Sequence, residues 1–401
     1  MKPVRLLSLL LTAMAAVSAW PDGPAMTIKS DHPLRNAPVT VPAPDGIDPS
    51  GSYVLKGGKA KLPVTIRDGK LTTIIPELAA GVEQRYTLES AGKAKKHGVS
   101  IEQRGAEKVL EIKINGKLFT RYYYGEEWKK PFFWPITVEG GVGLTRNYPM
   151  DPKDKPQDHP HHKSMWSAFG NVNGANCWEE DPGTGAQKVL DVTWESGDAY
   201  GQIVSHDEWV DAEGKHVATV HRQYTFYNTP EPARLIDAQI SFIADQGPIE
   251  FGDTKEGGIV ALRMRGDICN ARAIITNALG DKGEEQCWGK PAAWCDFSGD
   301  IPKVGLRGAA IMDHPENLRH PSSWHVRAYG LMGANCFGYS FFNEKEYNRG
   351  LIPERGEYTV EAGKTLTFNY RVYVHSGDAA AADVAGRYAD YVKPVEASWK
   401  Q

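Results

Sequence analysis

A mostly β chain, built as a large antiparallel sandwich with a short C-terminal helix, follows from three features of the 401-residue sequence. Short segments of alternating polarity recur between tight turns, 11 Trp, 17 Tyr and 41 Gly favour strands and turns, and long helical periodicity is rare before residue 378.

Residues 1–19 carry a basic start (Lys2, Arg5), an apolar run from Leu6 to Val17, and small residues at Val17 and Ala19. This is the pattern of a secretory signal peptide cleaved after Ala19. No later stretch reaches the roughly 18 apolar residues that span a bilayer. The expected protein is therefore exported, periplasmic or extracellular, with no integral membrane segment once the signal is removed. Residues 20–47 are rich in Pro, Gly and Asp and are expected to wrap or link.

In 48–128 the segments "SYVL", "LPVTI", "LTTII", "QRYTL" and "VLEIKI" alternate with turns such as "DGK" and "NGK", which reads as an antiparallel sheet region. No linker separates it from 129–401, the main sandwich. That part opens on "KPFFWPITVEGGVGLTRNYP", whose prolines and glycines suit a loop crossing between sheets. A hairpin follows in "GQIVSHDEWV", "DAEGK" and "HVATVHRQYTFYN". Its alternation puts His206, Glu208 and Val210 on one face and Ser205, Asp207 and Trp209 on the other. "ARLIDAQISFIA" is a further strand, "EFGDTKEGGIVALRMRG" reads as strand, turn, strand, and "KTLTFNYRVYVHSG" runs into a terminal helix that Asp378 is placed to cap.

A formal net charge of -4 leaves no basic footprint for nucleic acid or an anionic membrane. The expected partner is a carbohydrate or another small polar ligand. The five cysteines are an odd number without C-x-x-C spacing, so up to two disulfides are open to them and no zinc knuckle is indicated. "DHP" at Asp158 and Asp313 is followed each time by a Trp (Trp166, Trp324) and then "GANC", an internal echo that points to two related halves.

Three sequence pieces carry chemistry. "HPHHK" places three histidines in four positions. On a strand, His159 and His161 share a face and His162 points away. "HDE" and "GDTKEGG" add carboxylates and a lysine, and "SSWHVR" sets Trp324 and Val326 opposite His325 and Arg327. The proton-handling candidates are His161, His162, His206, Glu208, Asp253, Glu256 and His325. Lys163, Lys255, Arg263 and Arg327 are placed to hold oxygens, Asn173 to add a polar contact, and Trp166 and Trp324 to stack on a ring. The alternative is a transition metal held by His159 or His161 with His206, Glu208 or Asp253; no strong metal motif supports it, so no cofactor is expected.

The motifs "DHPHHKSMW…NVNGANCW", "GDTKEGG" and "HPSSWHVRAYGLMGANCFG" resemble the PmoA-like family, an uncharacterised group whose label refers to methane oxygenase, over about Tyr124 to Val392. Membrane-embedded methane oxygenases need spanning helices, which the sequence after residue 19 lacks. The order of parts is also similar to aldose-epimerase-like supersandwich proteins, which implies a His and carboxylate pair facing an anomeric centre and no cofactor. Cys177 and Cys336 stand where the PmoA-like family has an aromatic and a proline, and this departure prompts the expectation of a disulfide between them. The function expected is a carbohydrate-active enzyme (hydrolase, epimerase or lyase) working by His/carboxylate chemistry. A non-catalytic glycan-binding protein and a metal-dependent oxidoreductase are the alternatives.

Overall fold

The structure, a computed structural model, describes residues 23–92, 98–350, 355–393 and 395–400. The signal peptide read at 1–19 lies outside the described residues. Among the described residues, no helix is long and apolar enough to cross a membrane.

Two eight-stranded antiparallel sheets pack face to face, as the alternation predicts. The front sheet runs Ser323–Arg327, Leu331–Asn335, Gly257–Arg263, Met165–Phe169, Phe132–Phe133, Lys117–Tyr123, Val109–Ile114 and Val99–Gln103. The back sheet runs Ala186–Glu195, Tyr200–Val210, His216–Tyr227, Arg234–Ile243, Thr365–Ser376, Gly305–Asp313, Trp294–Ile301 and Ile274–Asn277. Alternation assigns each residue to a face. Met165 and Phe169 enter the core between the sheets with Trp209, Val220, Ile236 and Val372, whereas Trp166 and Ala168 pack on the other face of the front sheet. That second face carries its own aromatic cluster of Phe132, Trp166 and Trp178, edged by Trp128, Trp134 and Tyr329.

A seven-stranded sheet with a separate core stands beside the sandwich. Its strands come from Ala25–Lys29 through Glu83–Ser90, and Glu396–Lys400 closes it by pairing with Ala25–Lys29, Ala25 opposite Lys400. Residues expected to wrap or link therefore form strands. Leu34–Pro42 tolerates Pro38 because it is an edge strand, where a missing N–H faces no partner.

The loop expected at "KPFFWPI" contains one short strand, Phe132–Phe133, paired on both sides. The C-terminal helix spans Val384–Val392 and is capped by Asp383, whose side chain accepts from the Gly386 N–H. Asp378 closes the turn before it instead, accepting from the Ala381 N–H at 2.9 Å.

Candidate functional site

The second face of the front sheet gathers most of the chemistry. Asp158 to Lys163 form a turn rather than a strand: His159 takes a left-handed φ of 43°, and the His162 N–H donates to the His159 carbonyl at 3.0 Å. Face parity consequently fails for "HPHHK". The His159 and His162 rings stack at 4.9 Å, and His161 stands edge-on to His162 at 4.4 Å. Arg146, fully buried, holds this turn from behind. Its Nη1 donates to the Asp158 carbonyl and carboxylate, each at 2.7 Å, and its Nη2 to the carbonyls of His159 at 2.6 Å and His162 at 2.9 Å.

Arg263, at the end of its strand, reaches both Asp158 carboxylate oxygens at 2.9 Å and donates to His162 Nδ1 at 2.9 Å. A guanidinium only donates, so His162 Nδ1 accepts and the neutral ring carries its proton on Nε2. Burial, followed by the neighbouring charges, holds His162 well below its ordinary value. Burial and then the Lys130 charge push His161 down to about 3. Burial raises the Asp158 carboxyl, but Arg263 outweighs it and brings the group to about 2. At neutral pH the His161 and His162 imidazoles are neutral and the Asp158 carboxylate is ionised.

Lys130 and Lys163, both buried, share one carboxylate. Lys130 Nζ lies 3.0 Å from Glu180 Oε1 and donates to the Trp178 carbonyl at 2.5 Å, and Lys163 donates to Glu180 Oε2. Lys163 also lies over the rings of Trp128 at 5.2 Å and Phe132 at 5.8 Å. Burial, with Lys130 next to it, brings Lys163 down to about 8.

Trp178 joins the two halves of the site. His161 and His162 pack on it at 6.2 and 5.4 Å, and His325 stacks on it at 6.3 Å. The His325 ring bonds to the Lys255 backbone, Nδ1 has no partner, and burial pushes the ring down to about 4 against the nearby Glu256 charge. Glu256 pairs with Lys255, and Arg327 with Glu284 at 3.0 Å. Tyr329 completes the rim, stacked on His159 at 5.2 Å with the Arg263 guanidinium 4.4 Å from its ring centre.

Residues 109–389 match the model of a family of unknown function, DUF6807. The chain belongs to this family. The DUF6807 match carries neither the PmoA-like name nor a stated activity. No curated protein matches the chain. Similar solved structures include a glycosyl hydrolase family 38 protein from Enterococcus faecalis, with 9% identity and a TM-score of 0.48 over 95% of this chain and 48% of that one. Another is an alpha-mannosidase from Enterococcus faecalis V583, with 10% identity and a TM-score of 0.41 over 94% of this chain and 46% of that one. The chain spans about half the length of each. The DUF6807 segment contains every side chain of the cluster and leaves out the seven-stranded sheet.

Of the side chains expected at a site, the DUF6807 cluster unites His161, His162, Lys163, Trp166, Lys255, Glu256, Arg263, His325 and Arg327. Five others lie elsewhere. His206 and Glu208 project from the outer face of the back sheet, where His206 stacks on His221 at 4.0 Å and Glu208 meets His216 at 3.1 Å. The inner face of that strand carries Ser205, Asp207 and Trp209, with Asp207 paired to the buried Arg222.

Asp253 accepts the backbone N–H groups of Ser340 and Gly356, which makes it a loop clamp. Asn173 ties a turn to the Val217 and Pro248 carbonyls. Trp324 is fully buried between the sheets, donating to the Ala292 carbonyl, and is out of reach of a ligand. The residue sets weighed as the metal alternative are thus dispersed. Among the described residues no group of three or more His, Cys, Asp and Glu is placed to hold an ion. A cavity of about 640 Å³ lies away from the cluster, lined by Ser50, Thr65, Arg67, Glu195 and Ser196, and it gathers no histidine.

The two "GANC" copies share a local structure. Asn176 Oδ1 accepts the N–H groups of Trp178 and Glu179, and Asn335 Oδ1 those of Phe337 and Gly338. Their cysteines are not bonded: all five thiols are free and buried. Cys177 donates its N–H to the Phe169 carbonyl and Cys336 follows Leu331–Asn335, and the strand Gly257–Arg263 runs between Met165–Phe169 and Leu331–Asn335. Burial raises the Cys177 thiol to about 12 and the Cys287 thiol to about 11. Alkylation without reductant is expected to label all five cysteines after unfolding and to be slow in the native protein. Recovery of three labels or fewer would restore the disulfide.

Proposed function

We propose that the DUF6807 cluster is a carbohydrate site at which a saccharide is processed by acid–base chemistry. The observation that carries this reading is the set of part-exposed side chains around the buried Trp178, with His161 packed on one side of that ring and His325, beside Glu256, on the other. The aromatic rim of Tyr329 and Trp128 suits the apolar face of a sugar ring.

His161 is part-exposed, and burial keeps its ring neutral at physiological pH, so its lone pair is open to a hydrogen bond from a substrate hydroxyl. Glu256 is part-exposed and supplies the carboxylate, with Arg327 and Lys255 to bind oxygens. A proton acceptor and a carboxylate on opposite sides of a ring suit hydrolysis, epimerisation or elimination.

The test is a thermal-shift screen of the purified protein against mono- and oligosaccharides, followed by product analysis for any that stabilise it. His161→Gln and Glu256→Gln are each expected to retain binding and lose turnover by about 100-fold or more. If no saccharide raises the melting temperature, the carbohydrate reading fails. If one binds and is never converted by the unaltered protein, the site is a glycan-binding site without turnover.

A further inference from the structure

The charges behind the aromatic cluster do not balance. Lys130, Lys163, Arg146 and Arg263 are at most 1% exposed. Two carboxylates reach them: Glu180 serves both lysines, and Asp158 serves both arginines. Asp154 and Glu179 lie farther out and are bonded elsewhere, Asp154 to the Asn147 N–H and Glu179 to the Asn176 amide. The part-exposed rim is neutral in sum, because Lys255 pairs with Glu256 and Arg327 with Glu284. His161 and His162 stay neutral and offset nothing. Two positive charges therefore sit in a desolvated region, where the field is weakly screened and an unpaired charge is costly.

A second, independent observation concerns hydrogen bonds. His162 Nε2, Trp166 Nε1 and Trp178 Nε1 are buried donors without a partner. Their rings touch one another at 5.3 to 5.4 Å. Three buried N–H groups with no acceptor, on rings in mutual contact and beside excess positive charge, suit an anionic oxygen ligand.

We propose that the ligand of this face is an acidic saccharide, a sugar unit bearing a carboxylate whose charge complements the buried excess. This rests on the carbohydrate reading above and narrows it to uronate-type substrates. The carboxylate is drawn toward the Lys163 and Arg263 side, and the ring lies across the rim between His161 and Glu256.

Titration calorimetry on the full chain tests it. The probes are galacturonate and glucuronate oligosaccharides, their neutral galactose and glucose counterparts, and inorganic sulfate and phosphate. One uronide is expected to bind at least about tenfold tighter than its neutral counterpart, and the preference to shrink as salt is raised well above physiological strength. Lys163→Met, which removes one charge and keeps the bulk, is expected to erase most of that preference. Should this variant not fold, Arg327→Gln, at the part-exposed rim, is expected to weaken uronide binding about threefold or more.

Equal binding of a uronide and its neutral counterpart would overturn the acidic-ligand inference while leaving the carbohydrate reading in place. Failure of every saccharide would overturn both. Sulfate or phosphate alone binding as tightly as a uronide would leave an anion site and overturn the saccharide part.

Discussion

Replacing Arg146 by methionine is expected to lower the unfolding free energy by about 3–5 kcal/mol and to abolish ligand binding. The guanidinium is fully buried and makes four hydrogen bonds to three residues of one turn, two of them to the carbonyls of His159 and His162. Methionine fills similar volume and satisfies none of these groups, so buried acceptors lose their donor and the turn loses its frame. Arg146→Lys keeps the charge but cannot reach Asp158, His159 and His162 together, and is expected to recover only part of the loss. The midpoint of urea unfolding, followed beside saccharide binding, measures both. A methionine variant that unfolds at the wild-type midpoint would show that the turn is held by something else.

Acid is expected to destabilise the protein through the same cluster. His161 is held at about 3 and His325 at about 4, against an unfolded value near 6.5. Above pH 6.5 both states are neutral and neither group contributes to the pH dependence. As pH falls below 6.5 the unfolded chain takes up a proton at each ring and the folded chain does not. Each histidine then removes about 1.4 kcal/mol of stability per pH unit, until its folded value is reached.

The groups that hold His161 down, after burial, are Lys130, His159 and Lys163, with Glu180 opposing; around His325 they are Lys255 and Arg327, with Glu256 opposing. Asp390 works in the other direction. Burial raises it to about 7, so through that carboxyl the folded state gains stability as pH falls from 7. The informative quantity is therefore the difference between the protein and His161→Phe or His325→Gln at each pH. Each variant is expected to lose one proton from the slope between pH 6 and about 4.5. Superimposable pH profiles for the protein and both variants would contradict the burial of these rings.

Much of the fold was legible because period-two alternation is imposed by burial on one face of each strand. Tyr200–Val210 and His216–Tyr227 follow their alternation as a hairpin, with His206 opposite His221. Alternation does not reveal which face turns inward. The hairpin presents Asp207 and Trp209 to the core and sends His206 and Glu208 to the outside, because Arg222 on the neighbouring strand supplies a buried charge for Asp207.

Clustered motifs carried the site better than lone residues did. "HPHHK" and "SSWHVR" both reach it, although the first does so as a turn organised by Arg146, twelve residues before Asp158, a relation no local pattern displays. Lys130, Glu180 and Trp178 were missed because they come from loops on either side of the Met165–Phe169 strand. The one signal was charge set among aromatics, in "EWKKPFFW" and "CWEED". Asp253 and Asn173 looked chemical in sequence and are occupied by backbone groups, the ordinary fate of Asx side chains in tight loops.

The pairing of Ala25–Lys29 with Glu396–Lys400 bears on how the chain is made. During synthesis from the N-terminal end, the earlier strand gains its neighbour Glu83–Ser90 within about 60 residues, but its other edge waits for the last strand of the fold. Until then a ribosome-bound chain carries an open strand whose Met26 and Ile28 are fully buried only in the finished sheet. The step that completes the fold is thus a long-range capture, and any delay in it prolongs the interval in which nascent chains can pair edge to edge with one another.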